Sequence, residues 1–164
     1  MTGETHFFDV VSKVDQQEIR NAVDQAQKEI RQRYDFKGSK SSIELTGDGI
    51  VLLSDDEGKL KSVVDVLETR LVRRGISLKA LEYGKVEPAS GGTVRQAATL
   101  KQGIDRENAK KITTLVKNSG MKAQAQVQDE QVRVSAKKID DLQAIIQKIK
   151  EADLGIAVQF MNYR

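Results

Sequence analysis

IVLLSDDEGKLKSVVDVLETRLVRRGI (residues 50–76) and QVRVSAKKIDDLQAIIQKIKEADLGI (residues 131–156) follow one plan. Each opens on an apolar strand ending in serine, Ser54 or Ser135, runs into a helix, and reaches a glycine, Gly75 or Gly155, ahead of a last strand. Ser54 to Gly75 is 21 positions and Ser135 to Gly155 is 20. Working outward, the order of amphipathic helix, strand, hairpin and strand that starts at Val14-Asp15 returns at Ile104-Asp105. A duplication this even sets the architecture before any motif is read. It predicts two domains of one fold, each of roughly 70–90 residues, within the normal domain range.

The local patterns fill in each copy. FFDVVS (7–12) reads as a strand, and Asp15 with Glu18 as a capping-box-like helix start. Ile19, Ala22, Val23, Ala26 and Ile30 recur at three and four, so that helix buries one face. SIELT and IVLLS flank Gly47-Asp48-Gly49, a hairpin whose glycines are expected to supply positive φ. Leu60, Val63, Val64, Leu67 and Leu71 stripe a second helix, and ISLKAL (76–81) follows as a strand, completing a βαββαβ unit. GKVEPASGGT (84–93) holds the only proline and three of the twelve glycines, and reads as the connection between copies. The expected domains are therefore 1–84 and 93–164, joined by 85–92.

The second copy repeats the order with VRQAATLK (94–101), a helix capped by Asp105, the hairpin KAQAQVQ/QVRVS, a helix striped by Leu142, Ile145, Ile146 and Ile149, and GIAVQF (155–160). The fold class is α+β: in each copy two helices cover one face of a four-stranded antiparallel sheet and leave the other face open. Alternation in KAQAQVQ puts Ala123, Ala125 and Val127 on the covered face and Lys122, Gln124 and Gln126 on the open one; Arg133 joins the open side from the next strand.

Composition narrows the function. At 164 residues and 38% hydrophobic, the chain builds two modest cores, each near the size where stability is marginal, so homo-oligomer contacts would help. There are no cysteines, the N-terminus lacks an apolar signal core, and nothing approaches a membrane-spanning run, which together predict a cytoplasmic protein. A net charge of +3 permits phosphate binding without the field of a strongly basic protein.

Catalytic signatures are missing. No P-loop or dinucleotide-binding glycine pattern occurs. His6, the only histidine, reads as a solvent residue, and the acidic pairs Asp55-Asp56 and Asp140-Asp141 sit where helix starts need caps and negative charge. No cofactor or metal is expected, and a non-enzymatic protein follows.

Binding chemistry concentrates elsewhere. From Val14 to Leu53 is 39 positions against 30 from Ile104 to Val134, so the first copy carries an insertion of about nine residues. That insertion contains Arg33-Tyr34-Asp35-Phe36-Lys37-Gly38. Arg33 and Lys37 suit a phosphate, Tyr34 or Phe36 a base, and Gly38 a close backbone approach. Equally, both rings could staple the loop to the core. Lys101-Gln102-Gly103 turns from a strand into a helix N-terminus whose free N–H groups would suit an anion. Further basic groups are Arg70, Arg73 and Arg74, explained by the helix dipole alone, and Lys110, Lys111, Lys137 and Lys138. In the tail, Phe160, Asn162, Tyr163 and Arg164 suit either a nucleotide or a fixed terminal strand.

FDVVSKVD (8–15), RYDFKG (33–38), LVRRGISLKAL (71–81), LKQGID (100–105), IDDLQA (139–144) and VQFMNYR (158–164) together resemble the bacterial YajQ family over essentially the whole chain. The hairpin at Gly47–Gly49 is shorter than the usual pattern and the segment before Phe8 longer; neither touches these blocks. The resemblance implies two ferredoxin-like domains of the kind used by RNA-recognition modules, with the strands at 7–12 and 93–101 exchanged between them. It also implies a cytoplasmic, non-enzymatic protein that binds a nucleotide, nucleic acid or cyclic di-GMP, the last linked to control of gene expression through a DNA-binding regulator.

Three readings follow. The leading one is a regulator binding cyclic di-GMP, GTP or ATP through Arg33, Tyr34, Phe36, Lys37, Lys101, Gln102, Tyr163 and Arg164. The second is an RNA-binding or ribosome-associated factor using Gln124, Gln126 and Arg133, weakened because IVLLS and QVRVS carry none of the stacking aromatics that such modules present. The third is a protein-interaction module without a nucleotide.

Overall fold

The computed structural model describes residues 4–164. In chain order the elements are β1 (His6–Val11), α1 (Gln16–Gln32), β2 (Ser42–Leu45), β3 (Gly49–Ser54), α2 (Glu57–Arg73), β4 (Leu81–Tyr83), β5 (Glu87–Pro88), β6 (Val94–Leu100), α3 (Arg106–Lys117), β7 (Ala123–Gln128), β8 (Gln131–Ala136), α4 (Ile139–Glu151) and β9 (Gln159–Met161). Both sheets are antiparallel, as the α+β reading with two βαββαβ units requires.

Strand pairing shows which segments belong together. β1 does not join the strands that follow it. It pairs with β8 (Phe8↔Val134) and β9 (Val10↔Phe160), giving the order β7-β8-β1-β9. β6 lies between β3 and β4 (Ile50↔Ala98, Leu81↔Leu100), in the order β2-β3-β6-β4. Each sheet thus takes a central strand from the other repeat. The chain divides into unit 1, residues up to 13 plus 102–164, and unit 2, residues 14–101.

In unit 2 the helices form for the reasons the sequence suggests. Asp15 accepts from the N–H groups of Gln17 and Glu18, and Asp56 from that of Lys59, each supplying a partner for N–H groups that the first turn leaves open. Ile19, Ala22, Val23, Ala26 and Ile30 of α1 meet Leu60, Val63, Val66, Leu67 and Leu71 of α2 in one core with Ile50, Leu52 and Ala98. Arg70 pairs with Glu29 at 2.8 Å and Arg74 with Glu18 at 3.4 Å, so these cations tie α2 to α1.

Three local expectations need correction. ISLKAL is not one strand: after Gly75 (φ 78) and buried Ile76, the Ser77 side chain accepts from the Lys79 N–H and bends residues 78–80 into a 3₁₀ turn, so β4 starts at Leu81. Gly47 and Gly49 lie outside the positive-φ set; Gly49 is required instead by close packing, because a Cβ there would stand 2.4 Å from the Ala98 carbonyl oxygen. Residues 85–92 do not join the units. Glu87 and Pro88 pair with Arg95 and Val94, and Gly91 (φ 70) and Gly92 (φ 77) turn the chain within unit 2. The chain passes between units at 13–14 and 101–102.

Unit 1 has its own core, in which Phe8 and Val10 of β1 pack with Ile112, Val116, Val132, Val134, Ile145 and Ile149. Among the described residues no helix is long and apolar enough to cross a membrane.

Candidate functional site

In unit 2 the Arg33 N–H caps α1 on the Glu29 carbonyl, and Tyr34–Phe36 make one 3₁₀ turn. Phe36 is only 4% exposed and belongs to the core, so of the loop's two rings it is the staple. The Arg33 guanidinium lies 5.3 Å from the Phe36 ring centre and is held by Glu29 (3.1 Å) and Asp35 (2.8 Å). That hydrogen bond from Arg33 draws the Asp35 carboxyl below its ordinary range. Lys59 covers Phe36 at 5.4 Å and donates to the Asp35 carbonyl. Tyr34 points outward, 85% exposed, with Lys37 Nζ 5.8 Å from its ring centre and Gly38 (φ 74) beside open space. Tyr34 and Lys37 are what this loop offers a ligand.

Lys101 does not join them. Ser39 and Ser41 tie the loop to Asp55 and Ser54, at the end of the sheet where Ser54 faces Val94. Lys101 follows the opposite end, where Gly49 faces Thr99, about 17 Å away along five residues of strand. The anion seat expected at 101–103 is also filled from within. The Lys101 N–H bonds to the Ala80 carbonyl, that of Gly103 to Ser12, and that of Ile104 to Glu130. Asp105 accepts from the Asn108 N–H, and the Glu130 carboxylate lies against Gly103.

Gln102, Tyr163 and Arg164 belong to unit 1. Arg164 exchanges backbone bonds with Phe7 at 3.0 and 3.1 Å, and the Tyr163 ring centre lies 6.3 Å from that of Phe8, so the tail extends the edge of the sheet. His6 takes part too, its Nδ1 3.1 Å from the Arg164 carbonyl oxygen.

On the open face of this sheet Gln124 and Gln126 are exposed. Arg133 is engaged: it donates to both oxygens of fully buried Asp9 (2.8 and 3.2 Å), and its guanidinium carbon lies over the Phe7 ring, 4.1 Å from the ring centre. Asn162, held at φ 58, donates to Asp9 at 2.8 Å, so one carboxylate ties β1, β8 and the tail. Phe7 therefore puts an aromatic ring on a face whose own hairpin strands have none. Reading FFDVVS with the first repeat hides it; the strand exchange implied by the family resemblance was the available signal.

The hydrogen bonds from Arg133 hold the Asp9 carboxyl below its ordinary range against the opposing effect of burial, with Asn162 adding to them. A carboxylate with a lowered folded-state pKa stabilises above its unfolded pKa, and that stability disappears as pH falls through the folded value. Asp9→Asn is expected to lose about 2 kcal/mol at neutral pH, the modest figure reflecting a partner partly in water, and to flatten the acid limb of stability. Urea unfolding of both proteins across acid pH checks this; parallel pH profiles would contradict it.

A cavity of about 730 Å³ in unit 1 opens where the ends of β7 and β8 meet the start of α4. Lys122, Lys137 and Lys138 line it together with Gln124 and Ser135, and Asp141 is the one carboxylate. None of the three lysines has an ion-pair partner among the described residues. Lys138, the N-cap of α4, makes no side-chain cap; its carbonyl takes the Asp141 N–H at 3.2 Å, so the Ile139 and Asp140 N–H groups are the ones without a partner among the described residues at the positive end of the helix dipole. The sequence marked Lys137 and Lys138 as basic and Lys122 as outward-facing, yet 15 positions separate Lys122 from Lys137 and only the hairpin brings them together.

Comparison with known proteins gives one consistent result. The family model described as "Nucleotide-binding protein YajQ-like" matches residues 6–164. The chain is 59% identical over 157 residues to a "Nucleotide-binding protein" of Heliobacterium modesticaldum, covering 96% of each. It is 55% identical over 157 residues to one of Geotalea uraniireducens, covering 96% of this chain and 98% of the relative. A Bacillus cereus protein with the same description is 59% identical over 157 residues and 96% of each chain.

Proposed function

The chain belongs to the YajQ-like family of nucleotide-binding proteins, and from that premise we propose that it binds a nucleotide in the unit 1 cavity without chemically altering it. The phosphates sit against Lys122, Lys137 and Lys138 and the Ile139 and Asp140 N–H groups at the start of α4, while Gln124 and Ser135 hydrogen-bond the rest of the ligand. The observation that carries this reading is the convergence of three lysines without carboxylate partners on one cavity large enough for a nucleotide. The protein acts as a regulator in the cytoplasm, its occupancy following the concentration of cyclic di-GMP, GTP or ATP. Binding rather than turnover also suits a chain with one histidine, itself bonded to the C-terminal backbone, and no cysteine.

Calorimetric titration of the full chain with cyclic di-GMP, GTP and ATP in one buffer tests the proposal. Replacing Lys122, Lys137 and Lys138 together by Ala is expected to weaken the bound nucleotide on the order of 100-fold, from roughly 1 kcal/mol per lysine. The fold should survive, because all three side chains are exposed. Unchanged affinity would remove the cavity from consideration, and no heat with any titrant would remove the nucleotide.

The outward Tyr34 ring with Lys37 beside it supports a second location on unit 2. There Tyr34→Ala would weaken binding while the triple lysine change would not. An affinity that fell steeply with salt would instead indicate a polyanion such as RNA, for which several counterions are released at once.

A further inference from the structure

We propose that β7 is a self-pairing edge, through which two copies of this chain join their unit 1 sheets into one. β7 is the outer strand in the order β7-β8-β1-β9. The two-residue turn Asp129-Glu130 closes the β7–β8 hairpin between Gln128 and Gln131, so Gln124, Gln126 and Gln128 hydrogen-bond to β8. Ala125 and Val127 therefore direct their N–H and C=O groups away from the sheet, with no partner among the described residues. Six residues long, without charge or proline, the strand has none of the features that discourage strand addition.

Other edges do have such features. On β2 the Ile43 N–H is already taken by the Gln27 side chain at 2.8 Å, and Glu44 puts a charge on the strand. β5 ends in Pro88, and β9 has three residues. β7 also carries Val127, which alternation assigns to the helix-covered face and which is nevertheless 51% exposed. A strand laid alongside would cover it.

Self-pairing is favoured over an unrelated strand by the symmetry of the segment. A two-fold axis normal to the sheet through Ala125 sets Ala125 opposite its own copy, Val127 opposite Ala123 of the second copy, and Gln124 opposite Gln126. In that register the outward N–H groups of Ala125 and Val127 find carbonyls, side-chain amides lie next to side-chain amides, and no like charges meet. The pairing shares Gln124 with the proposed nucleotide cavity but does not rest on it, and Val127 lies outside that cavity.

Sedimentation of the full chain over a range of concentrations should show the mass of one chain rising to that of two. Val127→Lys, a change at a half-exposed position, should hold it at one chain with an unchanged circular dichroism spectrum. Amide exchange gives a readout that does not depend on the variant: in the wild type the Ala125 and Val127 amides should become protected as concentration rises, and the other edges should not. A chain that stays single at every concentration would overturn the proposal. So would a dimer in which those two amides still exchange freely, or protection that appears only when a different protein is added.

Discussion

Phe8→Ala is expected to unfold residues 102–164 ahead of residues 14–101, although Phe8 stands next in sequence to the first helix of the latter. Phe8 is fully buried in the unit 1 core, with its ring edge-on to Phe160 at 5.7 Å. Truncating such a ring costs about 3–5 kcal/mol, through lost transfer energy and the cavity left behind. That is a large part of the total stability of a small domain. Amide exchange resolved by residue measures the outcome. Protection should drop across β7, β8 and α4 and persist in α1 and α2. Loss concentrated in α1 and α2 would mean that β1 pairs within its own repeat, against the observed register.

The second large effect is expected at Gly49, for a reason other than backbone freedom. Its φ lies outside the left-handed region, and the obstacle is the Ala98 carbonyl oxygen 2.4 Å from where a Cβ would stand. Ala98 sits in β6, the strand between β3 and β4, so the oxygen cannot move without loosening both neighbours. Gly49→Ala should therefore destabilise unit 2 by about 3 kcal/mol, at the upper end of overpacking changes. Gly47→Ala, two positions earlier with nothing within 4 Å of its Cβ, should stay within about 0.5 kcal/mol. Denaturant unfolding of the pair decides it; similar losses at both sites would mean that turn flexibility, rather than the close approach, is what matters.

These two positions also mark how far the sequence could be read. The stripe from Ile19 to Ile30, the Asp15 and Asp56 caps and the alternation in KAQAQVQ all concern neighbours within a few residues, and short-range geometry settles them. Gly49 looked like a turn glycine because its actual constraint, the Ala98 carbonyl, comes from a strand about fifty positions away. Among the candidate binding residues, the basic character of Lys37 was legible, whereas which of the Tyr34 and Phe36 rings turned outward and which was buried depended on how the loop folded onto α2. Arg133 read as a free cation until β1 brought Asp9 beside it. Lys122, Lys137 and Lys138 belonged to separate elements until the hairpin closed and brought their ends to the start of α4.

The sequence by itself determined the duplicated α+β architecture, the faces of its helices, the family and the absence of catalytic signatures, because each depends on local periodicity or on ordered blocks of residues. Only the tertiary structure decided which strand completes which sheet, which cations stay unpaired and which edge is left open. Two copies of one fold offer two similar slots to two similar apolar strands, and alternation alone does not distinguish them. Long-range fit does: the Asp9 carboxylate meets Arg133 and Asn162, and Phe8 meets Phe160, only in unit 1.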